Sequence, residues 1–422
     1  DVILFDKNSD FKFSMFDYEI GRAKNGNYDT SHVADNLLRI HELIYNFEHG
    51  SSSQNEESFW KTSCKTLICM ALELFKISKL KPSWSGLKNL VYDSFSTEDI
   101  SRYYELLQTI QNDESSEEQI EEAIEEFENW KDSNYFLFNF DAANRREDLN
   151  EQELEQMKIV GDYFMRQFVQ LAEKTKSIII EMVVGITRPF ETSGILKKHF
   201  SDGFSEELHP NQTIFNNKLI ILDWGAKEYG VNGVCATAIV KLIYQQAWER
   251  RNIEAEGPHA RPVMLLIDEF QFYVNQSYDS LFTSTAGGSL VANVMVTQNI
   301  ENITVAFGGQ SALDKAKSLM ANLSTKIACA NSSFETNNFY SKMIGNHFID
   351  TVSTSIGEDG NIGKRFSQTL VPKVPSDHFM TLKTGRAEND FKVETIVVQT
   401  GKKWNDEGQN YCEITFDQLE DY

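Results

Sequence analysis

The sequence has 422 residues, 41% of them hydrophobic, with 63 acidic against 40 basic side chains and a net charge of −23. That length accommodates two or three domains with a buried core. The charge excludes a surface that coats nucleic acid generally, because phosphate contacts dominate such affinity. Any DNA contact has to be confined to a local basic lining, and the charge equally suits a basic or protein substrate.

No apolar run reaches the length of a membrane span and no signal-peptide pattern is visible. The five cysteines (64, 69, 235, 329 and 412) lack metal-ligand spacing and read as reduced thiols in a reducing compartment. The eight histidines never pair at ligand spacing.

Taken in order, Asp1 to Asp6 reads as a strand with no lead-in, which implies a fragment of a longer protein. Residues 30–134 read as an all-α segment. Phe59, Leu67, Met70, Ala71, Leu74 and Phe75 recur at helical spacing, as do Ile100, Tyr104, Leu107 and Ile110. The acidic stretch Asp113 to Asn129 keeps Ile120, Ala123, Ile124 and Phe127 on one face, with its charges on a solvated face. Tyr135 to Asp141 is expected to form a short aromatic strand or edge, and Leu149 to Ala172 a long helix. Ser177 to Val184 is either a strand or a buried helix, ended by Thr187-Arg188-Pro189. Gly194 to Phe200 is a further helix.

From Lys218 the pattern alternates strand and helix. Leu219 to Leu222 is a strand and Asn232 to Arg251 a helix. Strands at 263–267, 290–296 and 325–329 are separated by helices at 277–286 and near 311–321. Repeated strand–helix order predicts an α/β fold with a mostly parallel sheet flanked by helices. Phe334 to Ile344 is a helix and Gly357 to Gly363 a turn-rich hairpin or loop. Phe379 to Lys383 and Val393 to Gln399 are the last strands, ahead of an acidic tail.

Arg261 to Asn299 is the stretch around which the chain is organised. Val263-Met264-Leu265-Leu266-Ile267 is too short for a helix and suits a strand buried on both faces. It ends in Asp268-Glu269, two carboxylates at the mouth of the sheet, where ligands bind in this fold class. The next apolar run ends in Thr297-Gln298-Asn299. The two strands are expected to be adjacent and parallel, with Asp268 and Gln298 at one edge. This is the grammar of a nucleotide-hydrolysing motor: an Asp for Mg²⁺, a Glu to polarise water, and a Gln for the terminal phosphate or that water. Acids at this place also serve simply to cap the segment after the strand, with Gln298 satisfying backbone at the sheet edge.

Lys218-Leu-Ile-Ile-Leu-Asp-Trp-Gly-Ala-Lys-Glu-Tyr-Gly230, Arg261-Pro-Val-Met-Leu-Leu-Ile-Asp-Glu-Phe-Gln271, Tyr278-Asp-Ser-Leu-Phe282, Thr297-Gln-Asn299 and Ala321-Asn-Leu-Ser-Thr-Lys-Ile327 occur in that order. Together they resemble the conjugative coupling proteins of type IV secretion, the TraG/TraD group of the HerA–FtsK class of hexameric pumps. The resemblance implies a RecA-like motor, divided as residues 1–29 (first strand), 30–134 (inserted all-α domain) and 135–422 (motor, with a Walker B-type strand at 263–269).

It further implies ATP and Mg²⁺ as cofactors. Asp268 would hold the metal through water, Glu269 would be the general base, and Gln298 with Thr297 would sense the γ-phosphate. Arg386 and Lys326 are the candidate cations acting across a subunit boundary. The implied partners are further copies in a hexamer, a DNA, nucleoprotein or effector substrate, and secretion-channel components. The implied place is the cytoplasmic face of the bacterial inner membrane, with the membrane reached only through a part not present here. The alternatives are a secretion-assembly ATPase of the same superfamily and a non-catalytic receptor or scaffold.

One departure bears on all of this. No Gly-x4-Gly-Lys-Ser/Thr occurs in the 422 residues. Gly308 to Lys315 has the wrong spacing, and Ala316 follows its Lys. Such a loop holds the β- and γ-phosphates, so the chain is expected to be inactive on its own.

Overall fold

The computed structural model describes residues 1–24, 27–49, 57–309, 311–356, 362–406 and 408–419. The chain forms two compact units. One comprises Asp1–Val263, Asn275–Tyr278 and Thr285–Ala292, and the other Met264–Val274, Asp279–Ser284 and Asn293–Tyr422.

The first unit begins with β1 (Val2–Phe5) and runs through an extended helical series. That series is α1 (Met15–Arg22), α2 (Thr30–His49), α3 (Glu57–Ser78), α4 (Trp84–Tyr92), α5 (Thr97–Gln111), α6 (Glu117–Ser133), α7 (Tyr135–Asn144), α8 (Glu151–Asp162), α9 (Glu173–Thr192), α10 (Gly194–Phe200) and α11 (Asn211–Phe215). Helical structure thus extends well past residue 134. β2 (Leu219–Leu222) then pairs in parallel with β1, Val2 opposite Leu219 and Phe5 opposite Leu222. After it come α12 (Ala226–Tyr229), α13 (Val231–Glu249) and α14 (Ile253–Glu256).

Aromatic packing holds this unit together. Phe5 is fully buried, with the rings of Phe13, His199, Phe200 and Trp224 each centred 5.6–6.2 Å from its own. Trp84 stacks on Phe190 at 4.0 Å, joining α4 to α9. Contacts of this kind add about 0.5–1.5 kcal/mol each beyond area burial.

Three expectations are corrected here. Tyr135 to Asp141 is helical, because the Asn134 side chain caps the segment by accepting from Leu137 N at 2.7 Å. Phe136 and Phe140, one turn apart, then stack inside the unit at 5.5 Å. Of the two readings of Ser177 to Val184 the buried helix holds, and the break expected at Thr187-Arg188-Pro189 is corrected: α9 continues through Pro189 to Thr192. Pro189 sits in the last turn, where it removes one amide donor while its own carbonyl still accepts from Ser193 N at 3.1 Å. The long helix expected to Ala172 ends as α8, and a π-type turn over Tyr163–Phe168 brings both Phe164 and Phe168 inward.

The second unit carries most of β3 (Val263–Ile267) and of β4 (Val291–Met295). After them come α15 (Asp279–Thr285, between the two strands in sequence), α16 (Ile300–Phe307), α17 (Ala312–Asn322), β5 (Thr325–Cys329) and α18 (Phe334–Ile344). β3 and β4 are neighbours. Val296 N donates to Ile267 O at 2.9 Å and Phe270 N to Val296 O at 2.8 Å, advancing in the same sense along both segments, which is the parallel arrangement.

β6 (Asn346–Ile356) and β7 (Ile362–Pro372) form a long antiparallel hairpin. The loop expected at Gly357 to Gly363 falls mostly on residues outside those described, and its last two residues belong to β7. β8 (Lys392–Gln399) joins β5 and β9 (Tyr411–Asp417) in an antiparallel sheet. That sheet packs over Ala328, Ile344, Val374, Phe379 and Leu382.

Two strand assignments change. Phe379 lies in a single 3-10 turn, His378–Met380, which drops its ring into that core; beyond it Thr384 forms only an isolated bridge to Val393. The expected acidic tail contains β9, where Cys412, Ile414 and Phe416 alternate with Glu413, Thr415 and Asp417. The α/β class stands, with parallel pairs β1–β2 and β3–β4 and antiparallel pairing from β5 onward.

The strand at 263–267 is buried on one face only. Val263 and Ile267 are buried, whereas Met264 and Leu266 are 64% and 61% exposed. β1–β2 behaves likewise, with Val2, Leu4, Leu219 and Ile221 exposed. No helix among the described residues covers these faces.

Candidate nucleotide site at the ends of β3 and β4

β3 ends at Ile267, and the backbone turns at once. Glu269 adopts a left-handed conformation (φ 47°) and feeds a 3-10 turn, Phe270–Tyr273. Phe270 is fully buried and its amide is fastened to Val296 O, so the turn is pinned to the end of β4. A left-handed non-glycine residue costs about 1–2 kcal/mol, and such strain collects where a side chain must be aimed.

The aim is specific. Glu269 Oε1 accepts from Gln298 Nε2 at 3.1 Å, and Glu269 Oε2 accepts from Gln271 Nε2. Gln271 Oε1 in turn accepts from Thr297 Oγ1 at 2.8 Å. Asn331 Nδ2, beyond β5, donates to Gln298 O at 2.7 Å. Three side chains from the ends of two parallel strands, Gln298, Gln271 and Thr297, thus form one network with the Glu269 carboxylate. Asp268 lies beside it, exposed, with Oδ1 accepting from Glu269 N at 2.9 Å and no bond to Oδ2 among the described residues.

This geometry brings Asp268, Glu269, Thr297 and Gln298 to one edge. Glu269 makes no side-chain cap to the turn it begins. Its carboxylate is held as an acceptor between two amides and is thereby oriented, as a group that takes a proton from water has to be. Asp268 keeps an oxygen free for a water bound to a metal.

Arg386 and Lys326 stand apart. Arg386 is exposed, with Glu388 as its neighbour at 3.9 Å. Lys326 donates to Leu323 O at 2.5 Å, and burial pushes its ammonium below the usual lysine range. Neither bonds to the Glu269 network.

Gln271 and Asn331 were not marked as site residues by sequence. Gln271 was signalled only by its place two residues after Glu269. Asn331 was signalled only by its place at the end of a strand, as with Asp268 and Gln298.

The residues fit one half of an ATP·Mg²⁺ site. Asp268 suits a metal held through water and Glu269 the attacking water. Nothing among the described residues supplies a phosphate cradle, nor do three or more metal-ligating side chains cluster anywhere among them.

Residues 262–383 match a protein family described as the TraM recognition site of TraD and TraG. No curated protein matches the chain. Solved structures do. The bacterial conjugative coupling protein TrwBdeltaN70, in an unbound form, aligns over 99% of this chain and 73% of its own, with a TM-score of 0.58 and 12% identity. The plasmid coupling protein TrwB in complex with the non-hydrolysable GTP analogue GDPNP aligns over 98% and 73%, at 0.57 and 11%. The complex of TrwB with the ATP analogue ADPNP aligns over 98% and 73%, at 0.56 and 12%. The fold is therefore similar to that of these conjugative coupling proteins, and residues 262–383 match the family described as the TraM recognition site of TraD and TraG.

Proposed function

We propose that this chain is the larger part of an ATP-dependent ring motor that passes DNA, nucleoprotein or an effector protein to a type IV secretion channel during conjugation. The observation that carries the proposal is the convergence of Glu269 and Gln298, 3.1 Å apart, at the ends of two adjacent parallel strands beside an open Asp268. The TrwB structures with GDPNP and ADPNP support a nucleoside triphosphate as the ligand.

In this reading Asp268 holds Mg²⁺ through water. Glu269, aimed by Gln298 and Gln271, takes the proton of the attacking water. Gln298 reports the terminal phosphate to β4. When bound, the metal neutralises charge on the transferring phosphoryl group. Arg386 and Lys326 remain candidates for a cation acting between copies, which the ring has to provide since neither meets the site within one copy. The phosphate-holding element has to come from outside these 422 residues. The open apolar faces of β1–β2 and β3–β4 are suited to packing further elements, since parallel strands are ordinarily covered on both sides.

The described residues contain no helix long and apolar enough to cross a membrane. Attachment at the inner face of the membrane belongs in this proposal to other segments. Residues 262–383 are the segment expected to meet a relaxosome protein of the TraM kind, as well as channel components.

One observation favours a second reading, a scaffold that keeps the fold without hydrolysis: the phosphate loop is missing from the sequence. ATP titration and steady-state hydrolysis on the complete natural protein separate the two. Turnover that is abolished by Glu269→Gln supports the motor, and absence of nucleotide binding supports the scaffold.

A further inference from the structure

Just past β5, Asn331 sits beside the end of β4 and is fastened at every polar group it has. Its N–H donates to Phe379 O at 3.2 Å, and its own carbonyl accepts from Asn337 Nδ2 at 2.9 Å. Its side-chain Oδ1 accepts from Ser333 N at 2.7 Å, the Asx turn that leads into α18. The remaining group, Nδ2, donates to Gln298 O at 2.7 Å. An asparagine amide carries an acceptor oxygen and a donor nitrogen. In Asn331 the oxygen starts a helix, and the nitrogen holds the backbone of the residue proposed to meet the terminal phosphate.

The first turn of α18 grips the same short stretch a second time. Ile300 N donates to Thr336 Oγ1 at 3.0 Å, and Thr336 Oγ1 donates to Glu301 Oε2 at 2.8 Å. Ser333 Oγ donates to the other oxygen of that carboxylate. Residues 298–301 are therefore bracketed, with Asn331 at the front and Ser333 and Thr336 at the rear. Thr336 and Asn337 are buried, so the bracket is anchored in the interior. From this position the Gln298 side chain reaches Glu269 Oε1 at 3.1 Å.

We propose that Asn331 is a positioning residue for nucleotide hydrolysis, which sets the backbone of Gln298 so that its amide is presented to Glu269 and to the terminal phosphate. Its catalytic consequence rests on the proposed function, whereas the placement of Gln298 rests on the hydrogen bonds alone.

Three observations separate positioning from a role in stability. The bond to Gln298 lies at the open edge, where water replaces a lost partner at little cost to the fold. It reaches the backbone of Gln298 and leaves the side-chain amide available to Glu269. No described bond joins Asn331 to Glu269 or Asp268, so Asn331 acts through Gln298. Geometry weighs heavily at such a distance, since a shift of about 1 Å caused away from the chemistry can cost about 10²-fold in rate.

Two substitutions divide the functions of the amide. Asn331→Asp keeps the acceptor for Ser333 N and loses the donor to Gln298. Asn331→Ala loses both and adds no charge. Asn338→Asp, at a residue of α18 with no described hydrogen bond, is the control for charge. In the complete natural protein both Asn331 variants should lower kcat by about tenfold to a hundredfold, with nucleotide affinity by titration held within about threefold. Asn338→Asp should match the parent in both.

A second measurement needs no turnover. In the 422-residue chain labelled with ¹⁵N-glutamine, the NMR signal of the Gln298 side-chain NH₂ is assigned from its loss in Gln298→Glu. That signal should move in both Asn331 variants toward its position in Glu269→Ala, and stay in place in Asn338→Asp. Thermal unfolding serves as the folding control. Unchanged turnover in both Asn331 variants, or affinity that falls in step with turnover, would overturn the proposal. A Gln298 signal indifferent to both would overturn it as well. A parent protein that hydrolyses no nucleotide would instead refute the proposed function and the catalytic role with it, and the Gln298 signal would then decide whether Asn331 places Gln298.

Discussion

Glu269 is where strain and proposed chemistry meet, and the two can be separated by substitution. Its left-handed backbone costs about 1–2 kcal/mol for a side-chain-bearing residue. Glu269→Gly removes that cost but loses the two hydrogen bonds from Gln298 and Gln271, worth about 0.5–1.5 kcal/mol each at a half-exposed carboxylate, and adds some chain entropy. The terms nearly cancel, so the stability of the chain should move by less than about 1.5 kcal/mol. Glu269→Gln keeps shape and strain and should be equally mild. If Glu269 takes the proton of the attacking water, either variant of the complete natural protein loses turnover by roughly 10²-fold or more, about 2.7 kcal/mol in the barrier. Nucleotide affinity is retained in the Gln variant, because the general base contributes little to ground-state binding. Urea unfolding, nucleotide titration and steady-state hydrolysis are run on the same preparations. Equal hydrolysis in the Gln variant and its parent would refute the reasoning and leave Glu269 as a turn residue aimed at two glutamines for structural reasons alone.

The chain of 422 residues should itself show no measurable ATP hydrolysis and at most weak binding of ATP with Mg²⁺; micromolar affinity by calorimetry would contradict this. Asp268→Ala in the complete protein should weaken nucleotide binding specifically in the presence of Mg²⁺, and unchanged metal dependence would exclude Asp268 as the metal's anchor. Arg251 is a buried cation bonded to Glu256 at 2.6 Å and to the carbonyls of Arg261 and Ser289 at 2.9 and 3.1 Å. Arg251→Met should therefore cost about 1–3 kcal/mol in chemical denaturation, since it removes the hydrogen bonds to a partly exposed carboxylate and two carbonyls; a loss under about 0.5 kcal/mol would show that water replaces it. Burial pushes the His41 imidazole down to about 4 from an ordinary value of 6.5, so the unfolded chain takes up a proton first as pH falls. The associated stability is fully present above about 6.5 and is lost as pH falls toward about 4. Stability measured across that window should flatten in His41→Gln, and an unchanged slope would assign it to other groups.

The ends of β3 and β4 were legible because an abrupt change from apolar to polar marks the mouth of a parallel pair, and sequence distance leaves room for one short crossover. Asp268, Glu269, Thr297 and Gln298 fell at one edge for that reason. Gln271 was not legible, because its role depends on the left-handed turn at Glu269 that swings it back toward Thr297, and nothing in a Glu-Phe-Gln triplet announces φ > 0. The Tyr135 to Asp141 segment misled because it is apolar on every side; periodicity is silent there, and a cap one residue earlier decides the conformation. β9 was hidden by its acids, which are the outward half of an alternating strand.

The one-sided burial of β3 has a different lesson. A run of five apolar residues states that both faces are fit to be covered, and the covering itself is a property of what packs nearby. Val263 and Ile267 are buried, whereas Met264 and Leu266 stay largely exposed. The hairpin repeats the logic at larger scale: the alternation that builds β6 and β7 places Phe348, Val352, Phe366 and Leu370 on one face without supplying a core beneath them. Apolar pattern specifies a demand for burial, and among the described residues the outer faces of β1–β2 and β3–β4 and the open face of the ribbon leave that demand unmet. Of these faces, that of β3–β4 adjoins the strand ends at which Glu269 and Gln298 meet.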